Sequence, residues 1–128
     1  MASNRFLRSI VVCLIAACTA CSNTYSKAEV AGTYSLPVGD GVDTIELNAD
    51  GKYIHSFKTK AGRTDRQDGV WSLEELQAGS TVELDNFRPL LQERTQGNGF
   101  YLLLVKRSLG NLYLITNIDL NEGYKKTS

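Results

Sequence analysis

The sequence predicts an all-β protein, built as a single small antiparallel barrel or sandwich of seven to eight strands. Short segments of alternating apolar and polar residues recur at nearly regular spacing from Val30 onward. Glycine, asparagine and aspartate separate these segments, as is typical of turns between strands. No segment sustains the apolar spacing of a helix. We therefore expect one β domain over residues 30–128, which follows an N-terminal segment of a different kind.

Residues 1–17 predict a secretion signal. Arg5 and Arg8 supply a positive start, and residues 10–17 supply a short apolar run. A positive start, about 7–15 apolar residues and small residues at the cleavage site are the marks of a secretory signal. The run is too short to cross a membrane, which takes about 20 residues. We expect this segment to be absent from the mature protein.

A cysteine directly follows the predicted signal. The sequence Leu14-Ile15-Ala16-Ala17-Cys18 resembles the lipobox of bacterial lipoproteins, in which a peptidase cuts before a cysteine that carries a diacylglycerol. Cys21 is the alternative, because two small residues precede it and cleavage there leaves no spare thiol. The resemblance implies a membrane anchor at Cys18 or Cys21, and a lipidated tether over residues 18–29. No aspartate follows either cysteine, so by the same resemblance retention at the inner membrane is not signalled. In a host with two membranes, we expect the protein at the periplasmic face of the outer membrane.

The first half of the domain predicts three strands and a tight hairpin. Residues 33–36 form the first predicted strand, which Pro37 closes. Residues 43–47 and 52–59 alternate in polarity and predict a pair of strands. Between them, the sequence Asn48-Ala49-Asp50-Gly51 predicts a hairpin turn, because glycine takes the left-handed conformation that a type I turn with a bulge requires.

The second half predicts further short strands and one long loop. Residues 88–99 contain a proline and two glycines and predict the loop. The apolar run that follows predicts a strand covered on both faces. The predicted strands of this half are residues 69–73, 81–85, 100–105, 112–118 and 123–125.

Three motifs carry a second resemblance. The sequences Gly32-Thr33-Tyr34, Asn48-Ala49-Asp50-Gly51 and Gly69-Val70-Trp71 resemble those of small lipocalin-like domains in bacterial envelope lipoproteins. The resemblance covers residues 31–84, and more loosely the rest, and implies a lipocalin-like antiparallel β-meander. Its motifs are mostly turn residues and core aromatics, so they indicate a fold rather than an activity.

Composition excludes some functions. Because Arg5 and Arg8 lie in the signal, 12 basic residues remain against 14 acidic ones, a net charge of −2. Nucleic-acid binding needs a clustered basic face, so we expect no nucleic-acid partner. The chain has no cysteine after Cys21, so the domain depends on its hydrophobic core rather than on disulfides.

No catalytic or metal site emerges from the sequence, and we expect neither an enzyme nor a cofactor. His55 is the only histidine, and a zinc site normally takes three or four ligands of set types. We interpret His55 as a hydrogen-bonded or half-exposed strand residue beside Tyr53 and Phe57. Asp65 and Asp68 are interpreted as solvated charges.

The expected function is a non-catalytic binding or interaction module of the cell envelope. A small apolar ligand would contact Tyr53, Phe57 and Trp71 inside the barrel. An envelope protein would instead contact the loop that carries Phe87, Arg88, Leu90 and Leu91, since aromatics and arginine are frequent interface anchors. Phe87 and Leu90 could equally plug one end of the barrel. An inhibitor or immunity-type lipoprotein that blocks an envelope-acting enzyme is the alternative function.

Overall fold

A computed structural model describes residues 24–87, 101–117 and 122–128. The described chain forms one single-turn helix, α1 (Lys27–Val30), and eight antiparallel strands. The strands are β1 (Gly32–Val38), β2 (Gly41–Leu47), β3 (Lys52–Lys58), β4 (Thr64–Leu76), β5 (Gly79–Leu84), β6 (Tyr101–Ser108), β7 (Asn111–Asn117) and β8 (Glu122–Lys126).

The eight strands close into an up-and-down barrel. Each strand pairs with its neighbour in sequence, and β8 returns to pair with β1. The closing seam is short, with Tyr34 opposite Lys126 and Ser35 opposite Lys125. The C-terminal residues extend it, because Thr33 N donates to Ser128 O over 2.9 Å. Each strand of the described ranges is therefore paired on both sides over at least part of its length.

The hairpin between β2 and β3 has the predicted turn. Gly51 has a φ of 89°, and its N–H donates to Asn48 O over 3.0 Å. The Asp50 carboxylate accepts from Lys52 N over 3.0 Å. The turn fixes a register in which Leu47 lies opposite Tyr53, so that both side chains enter the core.

Two glycines make room for inward-facing aromatic rings. Gly69 lies opposite Tyr53, and a Cβ at Gly69 would lie 2.6 Å from the Tyr53 ring. A Cβ at Gly41 would likewise lie 2.7 Å from the ring of Phe57. In both cases the ring covers the backbone of a glycine, so that large aromatics fit inside a narrow barrel.

The two ends of the barrel differ in their covering. The turns that follow β2, β4 and β6 lie at the end where α1 packs, and we call this the α1 end. The turns that follow β1 and β3 lie at the opposite end. At the α1 end, the hydroxyl of Tyr34 donates to Val30 O over 2.6 Å and Trp71 Nε1 donates to Asn48 O over 2.8 Å. The Lys27 ammonium lies 5.1 Å from the centre of the Trp71 ring.

The segment before β1 belongs to the fold. Ser26 and Glu29 form a reciprocal capping box on α1, and Val30 is fully buried. Tyr25 packs against the core, and its N–H donates to Ser80 Oγ over 2.9 Å. The folded domain therefore starts before Val30, where the sequence had placed its boundary. The rest of the predicted tether, residues 18–23, lies outside the described residues.

The predicted fold class is confirmed, with corrections at particular strands. Strand β4 starts at Thr64, whereas the prediction started at Gly69. Pro37 lies within β1 rather than beyond it. The apolar run in β6 is not covered on both faces, because Leu102 is 44 % exposed. No helix within the described ranges is long and apolar enough to cross a membrane.

Candidate functional site

A cluster of three polar side chains lies inside the barrel, in the half nearer the opposite end. Asp43 on β2, His55 on β3 and Tyr124 on β8 are all buried, and we call them the polar cluster. Strand register explains how they meet. His55 lies opposite Ile45, so Asp43 is its diagonal neighbour on the same inward face. Tyr124 reaches Asp43 past β1, and 81 positions of sequence separate the two residues.

The Asp43 carboxylate is the centre of the polar cluster. His55 Nε2 lies 2.5 Å from Asp43 Oδ1, and the hydroxyl of Tyr124 donates to Asp43 Oδ2 over 2.6 Å. Since a carboxylate accepts hydrogen bonds, we place a proton on Nε2. Burial, and next the hydrogen bond to Asp43, raise the pKa of Tyr124 well above its usual range. Tyr124 therefore stays a neutral donor.

The second ring nitrogen of His55 has no hydrogen-bond partner in the part of the chain that the structure describes. Within the described residues, Nδ1 is the one buried side-chain nitrogen or oxygen in this condition. His55 is 0 % exposed, so bulk water does not reach the atom. An unsatisfied buried polar atom costs about 1–3 kcal/mol. This atom is the feature of the interior that purely structural packing explains least.

Aromatic rings lie beside His55. The ring of Phe87 stacks on His55 with centroids 4.5 Å apart, and on Tyr101 with centroids 4.9 Å apart. Tyr53 is a more distant, tilted neighbour of Phe87 at 6.4 Å. Burial raises the pKa of Tyr101 above its usual value. His55 Nδ1 is thus a polar atom in mostly apolar, aromatic surroundings.

The residues predicted to contact a ligand do not form a single group. Tyr53 is buried next to Phe87, and its hydroxyl donates to Asp85 O over 2.6 Å. Phe57 is half-buried against Gly41 at the opposite end, whereas Trp71 is buried at the α1 end. Among the described members of the predicted set, Tyr53 and Phe57 flank His55 on β3, and Phe57 lies directly opposite Asp43. Phe87 stacks on His55, whereas Trp71 lies away from the polar cluster.

The predicted loop contacts are only partly described. Phe87 is half-buried and packs against the core, as expected for a plug of the barrel end. Arg88, Leu90 and Leu91 lie outside the described residues, and so do the candidate lipid-attachment residues Cys18 and Cys21. Predictions that depend on those side chains stay predictions.

Sequence reasoning missed Asp43 and Tyr124 as site residues. A signal for Asp43 was present, because Gly41, Asp43, Ile45 and Leu47 fall on one face of an alternating strand. A carboxylate on an otherwise apolar face needs a buried partner. Nothing in the sequence showed that the partners would be His55 and Tyr124. Within the described ranges, no three metal-binding side chains come together.

The protein is thus a small, closed antiparallel β-barrel with a carboxylate, that of Asp43, buried in its interior. Comparisons with protein-family models, with curated proteins and with solved structures found no match to the chain. The resemblance to lipocalin-like lipoproteins therefore stays a prediction from sequence motifs.

Proposed function

We propose that this protein is a lipid-anchored binding protein of the bacterial cell envelope, and that its barrel holds a small, mostly apolar molecule beside His55. One observation carries the proposal: the fully buried Nδ1 of His55 has no hydrogen-bond partner among the described residues. The stacked rings of Phe87 and Tyr101 give the surroundings of His55 an aromatic, mostly apolar lining, which suits a mostly apolar ligand.

The polar cluster suits a binding role. Asp43 accepts hydrogen bonds from both His55 and Tyr124, so each partner holds the carboxylate in place. The bond at Nε2 also fixes the orientation of the His55 ring, so that Nδ1 presents one lone pair in a defined direction. A ligand that donates a hydrogen bond to Nδ1 would satisfy the buried atom. The cluster then acts as a pre-organised polar anchor in an apolar interior.

The anchor part of the proposal rests on the leader sequence. A short apolar run after Arg5 and Arg8 ends in small residues and Cys18, with Cys21 as the alternative. Acyl chains on that cysteine would hold the barrel at a membrane surface, with the outer membrane as the proposed location. The lipocalin-like motifs around Gly32 and Gly69 support a small barrel fold for such a protein, and the ligand site rests on the polar cluster alone.

The ligand is tested with the protein gently extracted from its own membrane. Native mass spectrometry should detect a co-purifying small-molecule mass. In parallel, the uncharged fluorescent probe N-phenyl-1-naphthylamine should bind the ligand-free protein, and His55→Phe should weaken binding about ten-fold through loss of one hydrogen bond. Ser56→Ala on the outer face of β3 is the matched control and should bind the probe normally.

Two results would overturn the ligand site. One is the absence of a co-purifying mass together with equal probe affinity in the wild type, His55→Phe and Ser56→Ala. The other is a co-purifying protein in place of a small molecule, which would favour the envelope-partner function. Phe87→Ala gives a second variant in case His55→Phe does not fold, since removal of a stacking ring should also weaken probe binding.

The anchor is tested separately by intact mass. Cys18→Ser and Cys21→Ser, made singly and together in the full chain, should show which substitution abolishes the mass of the acyl chains. The double variant should no longer sediment with membranes. An acyl mass that survives in the double variant would refute the lipoprotein assignment.

A further inference from the structure

The turn between β6 and β7 presents a leucine in an unusual state. Leu109 is 99 % exposed, and its φ is 50°. With Gly110 at a φ of 81°, and Ser108 paired with Asn111, the two residues form a type I′ turn. Asparagine or glycine is preferred at the first position of this turn, because both tolerate positive φ. Leu109 is therefore strained as well as exposed to water, a combination that points to a function rather than to stability.

The hairpin that carries Leu109 is basic. From Tyr101 to Asn117 its charged residues are Lys106 and Arg107, and no acidic residue occurs. The Arg107 guanidinium lies 5.8 Å from the centre of the Tyr25 ring. Lys126 lies beside it, and its ammonium donates to Glu29 O over 2.8 Å. An exposed leucine thus projects from a hairpin with positive charge at its base.

Several acidic groups at the same end of the barrel are engaged within the protein. Glu29 Oε2 accepts from Ser26 N over 3.0 Å in the capping box of α1. Glu75 accepts from the hydroxyl of Ser80 over 2.8 Å. Asp50 accepts from a backbone N–H in the β2–β3 turn. Each of these carboxylates accepts a hydrogen bond from the protein. A second aliphatic side chain, Leu76, is 51 % exposed beside the β4–β5 turn.

The Leu109 turn and the proposed anchor lie at the same end. Gly110 and Arg107 line a surface groove together with Glu29 of α1, which places the β6–β7 turn beside the N-terminal segment. Tyr25 follows Cys21 by four residues and Cys18 by seven. An extended chain of those lengths spans at most roughly 14 Å and 25 Å. Acylation at either cysteine would therefore hold the α1 end close to the lipid surface.

We propose that the α1 end docks on an anionic phospholipid bilayer, with Leu109 inserted among the lipid headgroups and with Arg107 and Lys126 facing lipid phosphates. This inference rests on the proposed lipid anchor, which supplies the proximity. Insertion of Leu109 removes its side chain from water, and the basic residues are attracted to the anionic surface. As a consequence, the opposite end, near which His55 lies, faces away from the membrane.

Tryptophan quenching tests this orientation in the acylated full-length protein. Leu109→Trp and Asp40→Trp place a reporter at opposite ends, because Asp40 lies in the exposed β1–β2 turn. Each variant is reconstituted in phosphatidylethanolamine and phosphatidylglycerol vesicles with brominated acyl chains, which quench tryptophan within the bilayer. The buried Trp71 of the unsubstituted protein gives the background signal. We expect emission from position 109 to fall about two-fold or more, and emission from position 40 to change little.

A variant that lacks one positive charge tests the electrostatic part of the proposal. Arg107→Gln in the Leu109→Trp background should reduce the quenching, most clearly at low ionic strength, where attraction to anionic headgroups is strongest. Equal quenching at positions 109 and 40, or stronger quenching at position 40, would overturn the proposed orientation.

Intact mass and vesicle sedimentation, recorded on the same samples, separate failure of the anchor from failure of the docking surface. Protein that is acylated and sediments, but shows no excess quenching at position 109, overturns the docking surface alone. Protein without an acyl chain that still shows quenching at position 109 supports the docking surface and overturns the anchor. Protein without an acyl chain that does not sediment overturns both.

Discussion

The two ends of the barrel satisfy their buried polar groups in different ways. At the α1 end, aromatic side chains donate to neutral backbone carbonyls: Tyr34 to Val30 O, and Trp71 to Asn48 O. Nearer the opposite end, side chains bond to one another around the Asp43 carboxylate. In the first arrangement the Tyr34 hydroxyl and the Trp71 N–H each have an acceptor, whereas in the second, Nδ1 of His55 has no partner among the described residues.

This difference is the basis of the proposed division into a structural end and a ligand-binding end. Neutral hydrogen bonds to the backbone close the α1 end at low cost and attach it firmly to the N-terminal segment. A buried carboxylate is costly unless its partners are complete, and apolar residues of similar volume would often stabilise the fold more. The incomplete hydrogen bonding of the polar cluster among the described residues therefore supports the ligand site that we propose. The comparison predicts larger effects for substitutions in the cluster than at the α1 end.

The largest effect is expected from loss of the central carboxylate. Asp43→Ala leaves His55 Nε2 and the Tyr124 hydroxyl buried without their acceptor. We expect the free energy of unfolding to fall by about 3 kcal/mol or more, because removal of the buried carboxylate leaves two buried donors without an acceptor. Urea unfolding followed by circular dichroism measures the change.

Asp40→Ala is the control for the loss of a carboxylate. Asp40 is exposed in the β1–β2 turn, and its substitution should change stability by less than about 0.5 kcal/mol. If Asp43→Ala and Asp40→Ala lowered the free energy of unfolding by similar amounts, the hydrogen bonds of the polar cluster would not stabilise the fold. The contrast between the two ends would then disappear.

A matched pair of tyrosines compares the two ends directly. Tyr124→Phe removes a hydroxyl that donates to a carboxylate, whereas Tyr34→Phe removes one that donates to a carbonyl; both bonds measure 2.6 Å. Bonds to charged groups are worth about 1.5–3 kcal/mol and neutral bonds about 1 kcal/mol. We expect Tyr124→Phe to reduce the free energy of unfolding more than Tyr34→Phe does. The reverse order in urea unfolding would contradict the assignment of a charged acceptor near the opposite end.

Alkaline pH should destabilise the protein through the same tyrosines. Burial raises the pKa of both Tyr34 and Tyr124 in the folded protein, while the unfolded chain keeps values near about 10. Their contribution to stability is complete below about pH 10, and is lost as pH rises above this value because only the unfolded state releases the protons. Each group contributes a slope of at most about 1.4 kcal/mol per pH unit.

Urea unfolding at several pH values from neutral to alkaline checks this slope. Tyr124→Phe should make the alkaline loss shallower, because phenylalanine has no proton to release. The Tyr113→Phe variant is the control, since Tyr113 is only half-buried on the outer side of β7. An unchanged slope in Tyr124→Phe would show that its hydroxyl does not stay protonated in the fold.

Much of the fold could be predicted because turns and alternation are local properties. The Asn48-Ala49-Asp50-Gly51 turn has a sequence signature that depends on four adjacent residues, and it is present as predicted. Strand β4 could not be bounded in the same way. Its first residues, from Thr64, are exposed and charged, and they are held in the sheet by pairing with β3 rather than by burial. Strand pairing is a tertiary property that overrides local propensity.

The candidate site was less predictable than the fold for a related reason. The inward face of β3 could be identified from alternation, and it placed His55 beside Tyr53 as observed. The partner Tyr124 comes from the last strand, and only closure of the barrel brings it to Asp43. Alternation identifies the face of a strand, but it does not show which residue of a distant strand lies across the interior.

The smallest expected effect is a gain in stability at the α1 end. Leu109→Asn places a residue that tolerates positive φ at the first position of the type I′ turn. Relief of the strain should raise the free energy of unfolding by roughly 1 kcal/mol, as measured by urea unfolding of the protein in detergent. The same substitution removes the aliphatic group proposed to enter the bilayer, so it should weaken docking while it strengthens the fold.

Leu76→Asn, at an exposed strand position, should give no such gain. A loss of stability in Leu109→Asn would mean that Leu109 contributes to the packing of the barrel, and the α1 end would then lose its proposed role at the membrane.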